Sequence, residues 1–222
     1  MQKKYEKKYF SGEESFFYGI GGGYKNYPNY WKKFRNLILR FKKNGDLLDI
    51  GCAYGFLLKQ MKKEFKCYGS DISNYAIKKA KTFVKDAVIK VNDICESFPF
   101  KKKFEVITMI DTLEHIQCPK KALKDSYKHL KKDGILIIKT PHLSKFRKIF
   151  FKKWDIEEGH ISMYNINDLI RNLKECGFKI VGYYLALTDF KLYFFKSQIK
   201  LKKYKEKINK SLPTESIIVA RK

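Results

Sequence analysis

FEVITMI (104–110) and ILIIKT (135–140) are apolar on nearly every position a strand presents, and a helix-patterned stretch separates them. A strand without a polar face has to be covered on both sides. Strands joined through a helix pair in parallel. This alternation runs along most of the chain. Further strands are predicted from Asp46 to Asp49, over 65–71 and 87–91, over 178–187 and over 216–220. Between them, Tyr30, Trp31, Phe34, Leu37, Ile38 and Phe41 recur at helical spacing, which predicts a helix over 28–43 opened by Pro28. Phe56, Leu57, Leu58 and Met61 predict a second helix, Ser73 caps a third, Pro119 opens a fourth, and Asn165 caps one that ends at Gly177. The expectation is an α/β fold with a mostly parallel sheet and helices on both faces. In such sheets ligands bind beyond the carboxyl ends of the strands.

LLDIGCAYGFLL (47–58) is the first such end, and its residue types restrict the ligand. A dinucleotide loop needs G-x-G-x-x-G, but here Gly51, Ala53 and Gly55 are followed by Phe56 where the third glycine belongs. Asp49 precedes the loop and would repel a pyrophosphate, whereas it would attract an ammonium or sulfonium group. S-adenosylmethionine carries both and has no phosphate. Asp71 ends the second strand, where an acid can accept from both hydroxyls of a ribose. Ile72 beside it can pack on adenine. Asp93 and Ile94 follow the third strand, as an acceptor for an exocyclic amine and an apolar wall. Each acid alone would read as a turn or cap residue; three successive strand ends carrying them point to one ligand.

Taken in order, LLDIGCAYGFLL, GSDIS, NDICESFPF, FEVITMIDTLEHIQCP and ILIIKTP resemble the class I S-adenosylmethionine-dependent methyltransferases. The resemblance covers roughly residues 45–187 and is closest to the branch with a D-x-L-E-H-I-type stretch, which includes quinone-biosynthesis, small-molecule and glycan-associated enzymes. It implies a Rossmann-like seven-stranded sheet with the last strand antiparallel. It also implies cofactor contacts at Asp49, Gly51, Ala53, Gly55, Asp71, Ile72, Asp93, Ile94 and Ile110. Ala53 stands where the family usually has glycine. Residues 1–44 are expected to form an N-terminal lid and helix, and residues 45–222 a methyltransferase domain with a basic aromatic insert at 188–213.

Methyl transfer is an in-line displacement, so alignment is the enzyme's main task, with a base needed for some oxygen or carbon acceptors. His115 in IDTLEH and His160 in EEGHISMYN are the candidate catalytic residues. His129 is expected in solvent, and His142 is placed to line the acceptor side. Asp111, Glu114 and His115 form D-x-x-E-H, similar to a metal-holding stretch in some quinone-ring and small-RNA methyltransferases; with no fourth ligand to name, no metal is expected. The chain lacks the Asn/Asp-Pro-Pro-aromatic tetrad that resembling enzymes use on amino groups of bases, and a Pro-Cys nucleophile.

A net charge of +25 raises nucleic acid as a partner, but only five of the 48 basic residues are arginine, the better phosphate fork. An RNA methyltransferase and a catalytically inactive cofactor-binding subunit are therefore alternatives to a small-molecule enzyme. LSKFRKIFFKKWD (143–155) and the insert mix aromatics with lysine, which suits a core-striped helix, or contact with an anionic membrane or a lipid-linked substrate. The five cysteines are odd in number and form no C-x-x-C. With no secretory signal and no membrane-spanning run, the expectation is a cytoplasmic protein with reduced cysteines.

Overall fold

Leu47, Leu48, Val106, Ile107, Leu136 and Ile137 are wholly buried, as strands covered on both faces must be. A computed structural model describes residues 5–186 and 214–222. Its sheet contains β1 (Gly45–Ile50), β2 (Phe65–Asp71), β3 (Val88–Val91), β4 (Phe104–Ile110), β5 (Leu130–Pro141), β6 (Lys179–Ala186) and β7 (Glu215–Arg221). The spatial order is β3-β2-β1-β4-β5-β7-β6. The β1–β2, β1–β4, β2–β3 and β4–β5 pairs are parallel; β7 enters antiparallel between β5 and β6. The sheet is thus the predicted one, with the last strand reversed. The insert expected at 188–213 lies outside the described residues.

Two apolar layers sandwich the sheet. α3 (Pro28–Leu39), α4 (Phe56–Met61) and α5 (Asn74–Phe83) cover one face. α6 (Pro119–His129) and α9 (Ile166–Glu175) cover the other. Ser73 and Asn165 cap α5 and α9 as expected, accepting from the N–H groups of Ala76 and Asp168. Two boundaries differ from the sequence reading. α3 stops at Leu39 rather than residue 43, with Arg40 as its C-cap. β5 begins at Leu130 rather than residue 135, because Leu130 pairs with Phe104 before a register shift. Asp133 adopts φ +59° within that stretch.

α1 (Lys7–Ser11) and α2 (Phe16–Gly21) lie outside the alternation and meet where Gly12 approaches Gly19. A Cβ at Gly12 would come within 2.6 Å of the Gly19 backbone. Phe10 then stacks on Tyr54 at 5.1 Å and meets Tyr24 edge-on at 5.7 Å, so an aromatic cluster joins this arm to the loop after β1. α7 (Lys145–Phe150) and α8 (Lys152–Glu158) complete the fold. The Ser15 hydroxyl donates to Glu158 at 2.9 Å, tying the arm to α8.

One expectation is overturned. Cys95 and Cys118 form a disulfide, so the cysteines are not all reduced. They are 23 residues apart in sequence, but the loops after β3 and β4 emerge at the same edge of the sheet. Topology brings them together, which spacing in sequence does not reveal.

Candidate active site

The loop after β1 is shaped by three residues in left-handed backbone conformations. Gly51 has φ +76°, and a Cβ there would overlap the Thr112 side chain. Gly55, also at φ +76°, is the N-cap of α4 and faces Val84 and Ala80. Ala53 lies between them at φ +44°, a conformation that glycine adopts without strain. Its N–H donates to Asp71 Oδ2 at 2.9 Å, and the N–H of Ser73 donates to Oδ1 at 2.9 Å. Burial pushes the Asp71 carboxyl up, and these amides act against the shift.

Asp49 lies below the loop, almost fully buried, opposite Thr108 in the β1–β4 register. The Thr108 hydroxyl donates to it at 2.6 Å. Burial pushes this carboxyl up to about 7, against the Thr108 hydrogen bond and with a further push from Asp71.

A cleft open to solvent lies over the carboxyl ends of the strands. Gly51, Ala53, Asp71, Ile72, Asp93 and Ile94 all line it, so six of the proposed contacts converge. Asp49, Gly55 and Ile110 are not among the lining residues; they support it from beneath or beside. Asp93 also holds its own turn, accepting the Cys95 N–H at 2.8 Å. Tyr5, Tyr9, Phe10 and Tyr18 close the cleft from the N-terminal arm, and Gln117 lines its rim. Sequence reasoning had named none of these individually. The four arm residues had one signal, the aromatic richness of the first 27 residues, and Gln117 had none.

The short 3₁₀ turn Leu113–His115 follows β4. Glu114 is buried; Thr140 donates to its Oε2 at 3.1 Å, and its Oε1 has no hydrogen-bond partner among the described residues. Burial, followed by repulsion from Asp111, pushes its carboxyl up to about 8. The Glu114 carbonyl accepts from Ile161 N at 2.8 Å and Ser162 N at 2.9 Å, which folds the GHISMY segment back onto this turn. His160 thereby arrives 4.9 Å from His115, ring centre to ring centre. His115 lines the cleft, with Nδ1 3.2 Å from the Tyr5 hydroxyl and 3.3 Å from the Gly159 carbonyl. His160 is not among the lining residues. Its Nδ1 lies 2.6 Å from Asp155 Oδ1. Arg147 grips the same carboxylate through two nitrogens, at 3.1 and 2.6 Å. With His160 and Arg147 both bonded to it, the Asp155 carboxyl stays below its usual range despite burial.

Glu114, His115 and His160 each bring one ligand atom within 4.8 Å of the others. One oxygen and two imidazoles, with an orphaned buried carboxylate oxygen among them, form a donor set that fits a divalent cation. Asp111, the first acid of D-x-x-E-H, is diverted instead: it pairs with Lys139 and accepts the Tyr30 hydroxyl at 3.0 Å. The third donor of this set comes from the returning segment.

Two histidines depart from expectation. His129 is not simply solvated: it stacks on Phe98 at 3.8 Å and bonds through Nδ1 to the Asp125 carbonyl at 2.8 Å. His142 does not line the cleft; it is buried after β5, and burial next to Arg147 lowers its pKa to about 4.

A family model described as a methyltransferase domain matches residues 24–183, most of the chain. The chain belongs to the class I S-adenosylmethionine-dependent methyltransferases. Among curated relatives, the ubiquinone biosynthesis O-methyltransferase of Pelagibacter ubique is 37% identical over 102 residues, covering 44% of this chain and 42% of that protein. The mitochondrial enzyme of the same name from Candida albicans is 28% identical over 103 residues, covering 42% and 32%. The match thus spans less than half the length of these relatives. A solved S-adenosylmethionine-dependent methyltransferase of Archaeoglobus fulgidus superposes with a TM-score of 0.67 at 22% identity, covering 87% of this chain and 93% of that one. Phosphoethanolamine N-methyltransferase 2 of Haemonchus contortus, solved with S-adenosyl-L-methionine, superposes with a TM-score of 0.73 at 20% identity, covering 97% and 58%. These two likenesses establish the fold. The family's cofactor is S-adenosylmethionine.

Proposed function

We propose that this methyltransferase transfers a methyl group to a hydroxyl oxygen of a small quinone-like ring. The observation that carries the reading is the convergence of Asp71, Asp93 and His115 on one cleft. Asp71 accepts from the ribose hydroxyls, Asp93 and Ile94 receive the adenine, and Gly51 meets the cationic end, which the Asp49 carboxylate attracts from beneath the loop. The bound sulfonium supplies an activated methyl carbon. His115 faces the acceptor and takes the hydroxyl proton, with His160 and Asp155 behind it. Tyr5, Tyr9 and Phe10 act as the lid, excluding water and fixing the acceptor. Were Glu114, His115 and His160 to hold a divalent cation instead, the cation would take the place of the free imidazole by favouring an ionised acceptor oxygen. The ubiquinone-pathway names of the curated relatives support an aromatic hydroxyl over a glycan precursor as acceptor.

Titration calorimetry with S-adenosylmethionine, its demethylated product and NADH tests the first half of this reading. Micromolar binding of the first two, absent for NADH and weakened in Asp71→Ala, is expected. A methyl-transfer assay then compares catechol-type phenols, glycan precursors and RNA. Turnover confined to RNA would replace the proposed acceptor.

A second reading concerns where the acceptor comes from. Ile149, Phe150 and Ile156 on α7 and α8 are 73%, 61% and 67% exposed, and Lys145, Lys148, Lys152 and Lys153 flank them. An apolar patch ringed by lysine suits the surface of an anionic bilayer. No helix among the described residues is long and apolar enough to cross a membrane. From the patch we propose an enzyme that meets a lipid-soluble acceptor at the membrane surface, on the cytoplasmic side. Cosedimentation with phosphatidylglycerol vesicles, reduced in Phe150→Ser/Ile156→Ser and absent with phosphatidylcholine alone, is the expected result. Equal recovery with both vesicles would remove this reading.

A further inference from the structure

We propose that the Cys95–Cys118 bridge is a reversible thiol switch that sets how tightly the cofactor is held. The proposal rests on the cofactor reading of the cleft. Cys95 lines the cleft directly after Asp93 and Ile94, the pair assigned to adenine. Cys118 is the N-cap of α6 and follows Ile116 and Gln117, which line the same cleft from the other side. The bridge therefore clips together the loops after β3 and β4, both of which line the cleft. Ile94 and Ile116 already share an apolar cluster, so reduction loosens the clip and leaves the fold intact.

Cys95 and Cys118 are both half-buried rather than sealed in the core. Cys52 and Cys67 are buried, and burial pushes both thiols up, which keeps them unreactive. Cys176 is partly exposed near Lys120, two residues from Cys118, so it is the one competitor for exchange among the described cysteines.

Chemically, the two thiols of Cys95 and Cys118 lose two electrons and two protons as the S–S bond forms. Glutathione disulfide accepts them and leaves as two glutathione thiols, through a mixed disulfide. A cross-link that holds a binding loop in its bound arrangement lowers the ordering cost of binding. The oxidised form is the tight-binding one.

The experiment uses the full chain, as wild type and as Cys176→Ser. Each is equilibrated in glutathione buffers of graded ratio, alkylated and mapped by mass spectrometry, and titrated with S-adenosylmethionine. The expected result is a Cys95–Cys118 peptide pair in oxidising buffer, lost in reducing buffer. The Kd should rise about three- to tenfold as the bridge opens. Cys118→Ser should bind like reduced wild type in every buffer. Finding both thiols free in oxidising buffer overturns the switch, as does one Kd for bridged and open protein. Absence of binding in both forms overturns the cofactor reading and the switch with it. Equal binding in both forms overturns the switch alone.

Discussion

Asp71 accepts the backbone N–H of Ala53 at 2.9 Å, so the acid that ends the second strand holds the loop that follows the first. One carboxylate thus shapes the glycine-poor loop and faces the cleft. Asp71→Ala removes both functions. Hydrogen bonds to a charged group are worth about 1.5–3 kcal/mol each. The expected loss of S-adenosylmethionine affinity is therefore at least about tenfold. Asp71→Asn keeps one acceptor oxygen and should lose less. Equal Kd values for wild type and Asp71→Ala would mean that the ligand lies elsewhere in the cleft.

Ala53 stands at φ +44° where glycine would be unstrained. Ala53→Gly relieves that strain but frees the unfolded chain, and the two effects oppose each other within about 1 kcal/mol. Denaturation midpoint and cofactor affinity should barely move. Ala53→Val puts a β-branched side chain at the same φ, at a cost of about 1–3 kcal/mol. A large loss of stability or binding is expected there. A glycine variant that binds much more tightly than wild type would show that this departure from the family pattern had weakened the site.

Cofactor binding is expected to depend on pH through Asp49. Burial holds its carboxyl at about 7, so below that pH it is mostly protonated in the free protein. A cationic ligand prefers the ionised form. Affinity should therefore be full above pH ~7 and fall by up to about tenfold per pH unit below it. The stability of the free protein runs the other way. A carboxyl raised on folding binds its proton more tightly in the native state, so its contribution is lost as pH rises through about 7. Asp49→Asn should flatten the first profile and lessen the slope of the second, to which the raised Glu114 carboxyl also contributes. Calorimetric titrations at several pH values check the first, and urea unfolding of the free protein checks the second.

The strands were legible because burial on both faces leaves continuous apolar runs, as in FEVITMI and ILIIKT. Ser73 and Asn165 were legible because capping is local. The convergence of Asp71, Ile72, Asp93 and Ile94 followed from the rule that parallel strands end on one side. What the sequence hid depends on partners distant along the chain. Tyr5 and His115 are 110 residues apart, and Ser15 and Glu158 are 143 apart. His160 reaches His115 only because the Glu114 carbonyl captures the returning segment. Asp111 shares the D-x-x-E-H spacing with Glu114 and His115, yet Lys139, buried on the neighbouring strand, pairs with it. No periodicity encodes such pairings; strand order and register create them.

The Glu114, His115 and His160 cluster should bind one divalent cation. Manganese is the convenient probe, read by its electron paramagnetic resonance signal. Saturable loss of the free-ion signal is expected with wild type, and none with His160→Ala at the same protein concentration. Binding should weaken as pH falls from about 8, because the Glu114 carboxyl, raised to about 8 by burial, takes up the proton that the ion must displace. No uptake by wild type would leave Glu114 as a buried neutral acid at physiological pH, hydrogen-bonded to Thr140 and supporting the turn alone.

Arg147 anchors the far end of the same constellation. Its guanidinium holds Asp155 through two bonds and donates to the Thr214 carbonyl at 3.0 Å, all out of solvent. Removing one partner of a buried ion pair costs about 3–5 kcal/mol, because the other charge stays behind. Arg147→Met should therefore lower stability by several kcal/mol in urea unfolding. Asp155→Asn with Arg147→Met removes both charges and should recover part of that loss. The double variant also deprives His160 of its carboxylate. If His115 acts as the base with His160 oriented behind it, the acidic limb of the rate profile should shift even where stability has returned. A recovered fold with an unmoved pH profile would confine Asp155 to a structural role.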